Sequence, residues 1–253
     1  MRFGDLQRTT IVITGVTRGL GRAMVDEFVR LGHIVSGCGR TKSEIERLVQ
    51  LYPEHDFQVV DVASHLQVRA WAEHLIEKHG APRLVLNNAA VLNAKAPLWE
   101  VSDQDFSNEI EVNIKGVVNV IRHFAPSMIG RRRGVIINFC SRWAVDVEKL
   151  MGPYCATKWA VIALTRVLAQ ELQEHGVAVI GLNPGIVQTA MLKRYLSGNG
   201  AAEMSDYLTP NEWAAIAVPF ILRLSLKDTG KLRHVLAPPT YSTCTRTRER
   251  SYL

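Results

Sequence analysis

The sequence predicts an α/β protein, doubly wound about a central parallel sheet flanked by helices, and three observations carry that expectation. Short runs rich in Val and Ile alternate with longer segments of helical periodicity, the signature of βαβ units. The strand-like runs are continuously apolar, as in strands covered by helices on both faces. A chain of 253 residues that is 47% hydrophobic and 21% charged has the length and ordinary composition for one large core.

The elements follow in order. Residues 10–13 read as the first strand and 20–31 as its crossover helix; 34–38 and 57–60 are the next strands, with a helix over 43–51 between them. Residues 67–79 read as a helix, 84–86 as a buried strand, 103–128 as a long helix and 135–139 as another strand. A helix over 154–174, a strand over 177–182 and a last strand near 234–236 complete the alternation. No repeat, low-complexity tract or long linker divides the chain, so residues 1–238 are expected to form a single domain. Beyond Pro238 the chain turns polar and basic, and residues 239–253 are expected to be an extended tail.

Several function classes are disfavoured. No apolar run approaches the roughly 18 residues of a membrane span, and the N-terminus, with Asp5 and no apolar stretch, does not read as a secretory signal. A cytoplasmic location and no membrane partner are expected. Cys38, Cys140, Cys155 and Cys244 form no CxxC and the histidines form no HExxH, so reduced thiols and no metal are expected. The net charge of +6 is spread along the chain, with clusters only at 131–133 and 246–250. A solvated basic surface accounts for it, and no nucleic-acid partner is expected.

Directly after the first strand stands TGVTRGLG, with Gly15, Gly19 and Gly21 opening a helical segment. Strand, glycine turn and helix are the context in which bare backbone N–H groups and a helix N-terminus face a pyrophosphate. A purely structural turn of the same composition is the alternative. NAD-binding versions place an acidic residue about 20 positions beyond the turn, yet residues 28–43 contain no Asp or Glu. The second strand ends instead in CGRTK, offering Arg40 and Lys42, and Arg18 lies inside the turn. Guanidinium forks suit a 2′-phosphate, so NADP(H) is the expected cofactor.

Tyr154 and Lys158 form YxxxK, which on a helix puts both on one face. An ammonium beside a phenol lowers its pKa and lets it exchange a proton with a substrate oxygen. By itself the pair is equally consistent with surface packing. Ser141, thirteen residues upstream at the end of GVIINFCS, adds a hydroxyl able to reach the same oxygen. Asn113, in VNIKG within the long helix, is a poor helix former that calls for a reason. NNAA, residues 87–90, follows the fourth strand where a cofactor needs small residues and amides.

Taken together these motifs resemble the short-chain dehydrogenase/reductase family, whose fold is a single Rossmann-type domain. TGVTRGLG matches its TGxxxGxG, so the resemblance implies cofactor contacts from Gly15, Thr17, Arg18, Gly19 and Leu20. Asp61 and Val62 resemble its adenine-contacting pair, and Asn88, Ala89 and Ala90 correspond to its NNAG. Asn113, Ser141, Tyr154 and Lys158 match its four catalytic positions in order and spacing. PGIVQT, with Pro184, Gly185, Val187 and Thr189, matches the PGxxxT that flanks the nicotinamide.

The resemblance implies hydride transfer between nicotinamide and a small-molecule carbonyl or alcohol, with Tyr154 as acid or base and Ser141 on the reacting oxygen. Asn113 would hold a water in a relay from Lys158. A homodimer or homotetramer built on the helices at 103–128 and 154–174 is also implied. Cys140, Ala90 and Thr157 depart from the family pattern without removing a catalytic group, and no Gly-Gly signature follows TGKLRHVLAP. The segment between Thr189 and Thr209 falls where members place a substrate lid, and Trp143, Val145, Leu92 and Met151 stand near the catalytic positions as an apolar wall or as core. A non-catalytic NADP(H)-binding sensor or scaffold is the alternative function, and the complete catalytic set speaks against it.

Overall fold

The computed structural model describes residues 9–196 and 202–235. Its centre is a seven-stranded, wholly parallel sheet in the order β3-β2-β1-β4-β5-β6-β7. The strands are β1 Thr10–Thr14, β2 Ile34–Gly39, β3 Asp56–Val59, β4 Leu84–Asn87, β5 Gly134–Phe139, β6 Val177–Asn183 and β7 Leu232–His234. The strand order reverses between β1 and β4, and at that switch point a crevice opens beyond the carboxyl ends of the strands.

Because successive side chains point to opposite faces, the apolar strands feed two cores at once. Ile11, Ile13, Leu86, Ile137 and Ile180 meet α1 (Gly19–Arg30), α2 (Lys42–Leu51) and α8 (Pro210–Leu222) on one face. Val12, Val85, Ile136 and Val179 meet α3 (His65–His79), α5 (Gly116–Gly130) and α6 (Gly152–Gln173) on the other. Each face holds a fully buried tryptophan with its indole N–H satisfied. Trp71 donates to Ser36 Oγ at 3.1 Å and Trp213 to the Pro184 carbonyl at 2.8 Å.

Four features differ from the sequence reading. The helix expected over 103–128 is α4 (Asp103–Ile110), a π turn (Glu111–Lys115) and α5, with the backbone right-handed helical throughout. Residues 210–222, given no element by the sequence reading, form α8, started by Pro210 and a capping box between Thr209 and Glu212. The last strand is β7 at Leu232–His234, slightly earlier than 234–236. The expected lid contains a helix, α7 (Ala190–Tyr195). The SGNGAA stretch of that lid lies largely outside the described residues, and the tail at 239–253 does so entirely.

Candidate active site

The crevice at the switch point is a cleft of about 480 Å³. At its floor the glycine turn joins β1 to α1, with Gly15 at φ +74° and Gly19 at φ +58°, conformations that side chains resist. A Cβ on Gly15 would sit 2.9 Å from the Ala89 Cα, and one on Gly21 would sit 2.1 Å from the Gly15 carbonyl oxygen. Asn88 locks the turn from β4, donating through Nδ2 to the Thr14 carbonyl at 2.8 Å, while Thr14 Oγ1 accepts from the Asn88 and Ala89 N–H groups.

The chemistry of this cradle fits a dinucleotide. Whereas α3, α4 and α8 are capped by Ser64, Ser102 and Thr209, α1 starts at Arg18 with no side-chain cap and no acidic residue in its first turn. Its free N–H groups and positive dipole end therefore face the cleft, which suits a pyrophosphate. Thr17, Arg18 and Leu20 line the cleft beside them, as do Arg40, Asp61 and Val62 at the far end. The Arg40 side chain is half exposed, with one nitrogen 3.7 Å from Asp61 Oδ2, a loose pairing that leaves its fork able to take a phosphate. Ala90, Pro184 and Thr189 line the opposite wall.

Two residues of the PGIVQT segment stand elsewhere. Val187 is buried in the core and bridges Leu208, and Gly185, at φ +80°, turns the chain with its N–H on Asn183 Oδ1 at 3.1 Å. Neither lines the cleft. Their part is to direct the loop, which Trp213 of α8 anchors through the Pro184 carbonyl.

Tyr154 and Lys158 share one face of α6, both buried and both lining the cleft. Burial pushes the Tyr154 phenol well above its usual pKa, and a hydrogen bond with the Ser141 side chain opposes the rise. Lys158 donates from Nζ to the Phe139 carbonyl at 2.8 Å, and desolvation lowers its pKa to about 8. The ammonium stands 5.6 Å from the centroid of the Tyr154 ring.

Asn113 lies in the π turn, fully buried behind the cleft. Its amide clamps Val91, accepting from the N–H at 2.9 Å and donating to the carbonyl at 3.0 Å. The other Nδ2 hydrogen goes to Thr157 Oγ1 at 3.2 Å, and that hydroxyl donates to the Tyr154 carbonyl at 2.8 Å. A chain of hydrogen bonds thus ties Asn113 to the helical turn that presents Tyr154. Both Nδ2 hydrogens are committed, which leaves the second lone pair of Oδ1 as the side chain's remaining place for a relay water.

Sequence reasoning missed Glu109, one turn before Asn113. It is 1% exposed, takes the Asn93 N–H at 2.7 Å on Oε1 and leaves Oε2 without a partner. Burial raises its pKa, and its field acts on both Tyr154 and Lys158. Arg194 was also missed; from α7 it reaches the cleft and donates to the Leu92 carbonyl at 3.0 Å. Only the acidic residue at a helical period from Asn113 offered any signal for the first, and nothing local signalled the second.

Of the suggested apolar wall, Leu92 and Met151 are buried with Tyr154 and Cys155, while Trp143, Met191 and Tyr195 pack on them. Trp143 meets the Tyr154 ring edge-on at 6.0 Å and Tyr195 at 4.4 Å, and Lys95 Nζ lies 3.6 Å over the Tyr195 ring centroid. Val145 is exposed and takes no part.

Comparison with known proteins points the same way as this geometry. The family model described as short chain dehydrogenase matches residues 9–199. An NADPH-dependent pterin aldehyde reductase of Arabidopsis thaliana is 41% identical over 224 residues, covering 87% of this chain and 90% of that protein. The L-xylulose reductase of Homo sapiens is 32% identical over 229 residues, covering 89% and 85% respectively. Among solved structures, a gluconate 5-dehydrogenase from Burkholderia cenocepacia J2315 in complex with NADP and tartrate superposes with a TM-score of 0.81 at 27% identity, covering 92% of this chain and 95% of that one.

Proposed function

The chain belongs to the short-chain dehydrogenase family and is an NADP(H)-dependent oxidoreductase of carbonyl and alcohol substrates; from that premise we propose that it reduces planar aromatic aldehydes, pterin aldehydes among them. The observation that carries the reading is the pair of buried side chains Tyr154 and Lys158 on one face of α6, at the end of a cleft whose other end presents Arg40. The similarity to a pterin aldehyde reductase supports the substrate class, and so does the aromatic pair Trp143 and Tyr195 beside Tyr154.

NADPH, when bound, supplies the hydride. Tyr154, kept protonated by burial, donates its proton to the carbonyl oxygen as that oxygen gains charge. Ser141 holds the same oxygen by a hydrogen bond, and the Lys158 ammonium stabilises the negative charge left on the phenol. Asn113 holds the Tyr154 turn in register through Thr157. For the cofactor, the α1 N-terminus with Gly15, Thr17, Arg18, Gly19 and Leu20 would take the pyrophosphate and Arg40 the 2′-phosphate. Asp61 and Val62 would flank the adenine, and Asn88, Ala89, Ala90, Pro184 and Thr189 the nicotinamide side.

A homodimer or homotetramer through α4, α5 and α6 belongs to the same proposal, supported by the exposed apolar side chains of Phe106, Trp159 and Val167 on α4 and α6. A monomer mass by light scattering would refute it. A cytoplasmic setting is supported by the unpaired thiols of Cys38, Cys140 and Cys155, and cell fractionation reads it.

Turnover with NADPH across pterin aldehyde, benzaldehydes and aliphatic aldehydes tests the reading. The aromatic substrates are expected to exceed the aliphatic ones by at least about tenfold in kcat/KM, and Tyr154→Phe to lose about 10²–10⁴-fold while still binding NADPH. Preference for aliphatic aldehydes would refute the substrate class, and undiminished turnover by Tyr154→Phe the acid.

A further inference from the structure

The amino ends of the strands, opposite the catalytic cleft, enclose a second cavity of about 450 Å³. The basic cluster at 131–133 is exposed, as its sequence suggests, and two of its arginines line this cavity. Arg83 immediately precedes β4 and Arg133 immediately precedes β5. The sheet ladder holds Arg83 between its neighbours, with its N–H on the Thr10 carbonyl at 2.9 Å and its carbonyl accepting from the Val135 N–H at 3.0 Å. Arg131 reaches the same cavity from the turn after α5, where it donates to the Ala81 carbonyl at 3.3 Å. Arg83, before β4, and Arg131 and Arg133, from the turn between α5 and β5, therefore line one concavity.

Nothing described balances this charge. Among the described residues no Asp or Glu lines the cavity, and none of the three arginines forms an ion pair. Arg83 is half-buried, and both its burial and the like charge of Arg133 lower its pKa, the sign of a cation held without a counter-ion. His33, also in the lining, is 1% exposed; its Nδ1 meets Thr9 Oγ1 at 3.2 Å, while Nε2 has no partner. Against these polar groups stand Leu222, the last residue of α8, and Leu224 just beyond it.

We propose that this cavity binds a small organic phosphate, its phosphate taken by Arg83, Arg131 and Arg133 and its apolar body laid against Leu222 and Leu224. Guanidinium groups meet phosphate oxygens through paired, charge-assisted hydrogen bonds, and the site is a pocket instead of an extended stripe, which favours a small molecule over a nucleic-acid backbone. Its separation from the catalytic cleft by the full length of the sheet makes the ligand an addition to NADP(H), not a competitor.

Calorimetric titration of phenyl phosphate and of inorganic phosphate into the full-length protein saturated with NADP⁺ tests this. One saturable site is expected, tighter for phenyl phosphate. Arg131→Gln with Arg133→Gln, both at exposed positions, should weaken it by at least about tenfold, roughly one charge-assisted hydrogen bond, while NADPH affinity stays unchanged. Arg83→Gln should act in the same direction. Arg40→Ala, in the cofactor cleft, should not. Absence of saturable binding to the NADP⁺-saturated protein, or equal affinity in wild type and the Arg131/Arg133 variant, would overturn the proposal. Equal affinity for the two probes would overturn the part assigned to Leu222 and Leu224. None of these outcomes depends on the identity of the carbonyl substrate.

Discussion

Lys158 should cost the fold stability, and removing it should make the apoprotein more stable while ending its activity. Lys158 is 4% exposed, and desolvation lowers its pKa from 10.5 to about 8. At 1.36 kcal/mol per factor of ten, its proton is bound about 3 kcal/mol less favourably in the fold than in the unfolded chain. Lys158→Met keeps the length of the side chain without the charge. It also deletes the hydrogen bond to the Phe139 carbonyl, which returns about 1–2 kcal/mol.

The net expectation near neutral pH is a gain of about 1–2 kcal/mol, or roughly 2–8 °C in Tm for a chain of this size. The sign depends on pH. Below about 8 both states carry the proton and the full cost stands; between about 8 and 10.5 the folded state alone sheds it. The unfolded chain then binds more protons, so wild-type stability rises with pH and the advantage of the variant fades. Urea denaturation of the two apoproteins at about pH 7 and about pH 9.5 reads both effects. A variant less stable than wild type at neutral pH, or a gain that does not shrink with pH, would refute the reasoning.

Two further expectations concern the same cleft. Arg40→Ala should weaken NADPH binding by roughly 10–100-fold and NADH binding by under about threefold, because only the former carries the 2′-phosphate; equal losses by fluorescence titration would exclude Arg40 as the discriminator. Glu109→Gln can keep the contact with the Asn93 N–H but removes a negative charge that favours protonation of Lys158. The alkaline fall in kcat/KM for carbonyl reduction should therefore move to lower pH, and an unmoved profile would place Glu109 outside the electrostatics of the site.

Much of this protein was legible before its structure. The glycine turn, the basic residue after β2, and Tyr154 with Lys158 are local or periodic patterns, and all of them line the cleft, whereas Ser141 stands at the cap of the short turn that follows β5. Asn113 drew notice as a misplaced helix residue, but the clamp it makes on Val91 spans 22 residues, and the bond to Thr157 spans 44. Helix α8 escaped because its residues are apolar almost all round and leave little polar face to mark a helical period, although its Trp213 holds the loop at Pro184 from 29 residues away.

What the sequence by itself determined was the class of fold and the cofactor, since these rest on strand periodicity and on residue types at short, fixed spacings. Tertiary structure alone decided that Val187 packs in the core while Arg194 joins the cleft. It alone decided that Glu109 lies buried near Lys158, and that Arg83, Arg131 and Arg133 share one cavity. The reason is physical: a motif encodes which groups are present, whereas proximity across the chain and exclusion of water decide their charge, their partners and what they can bind.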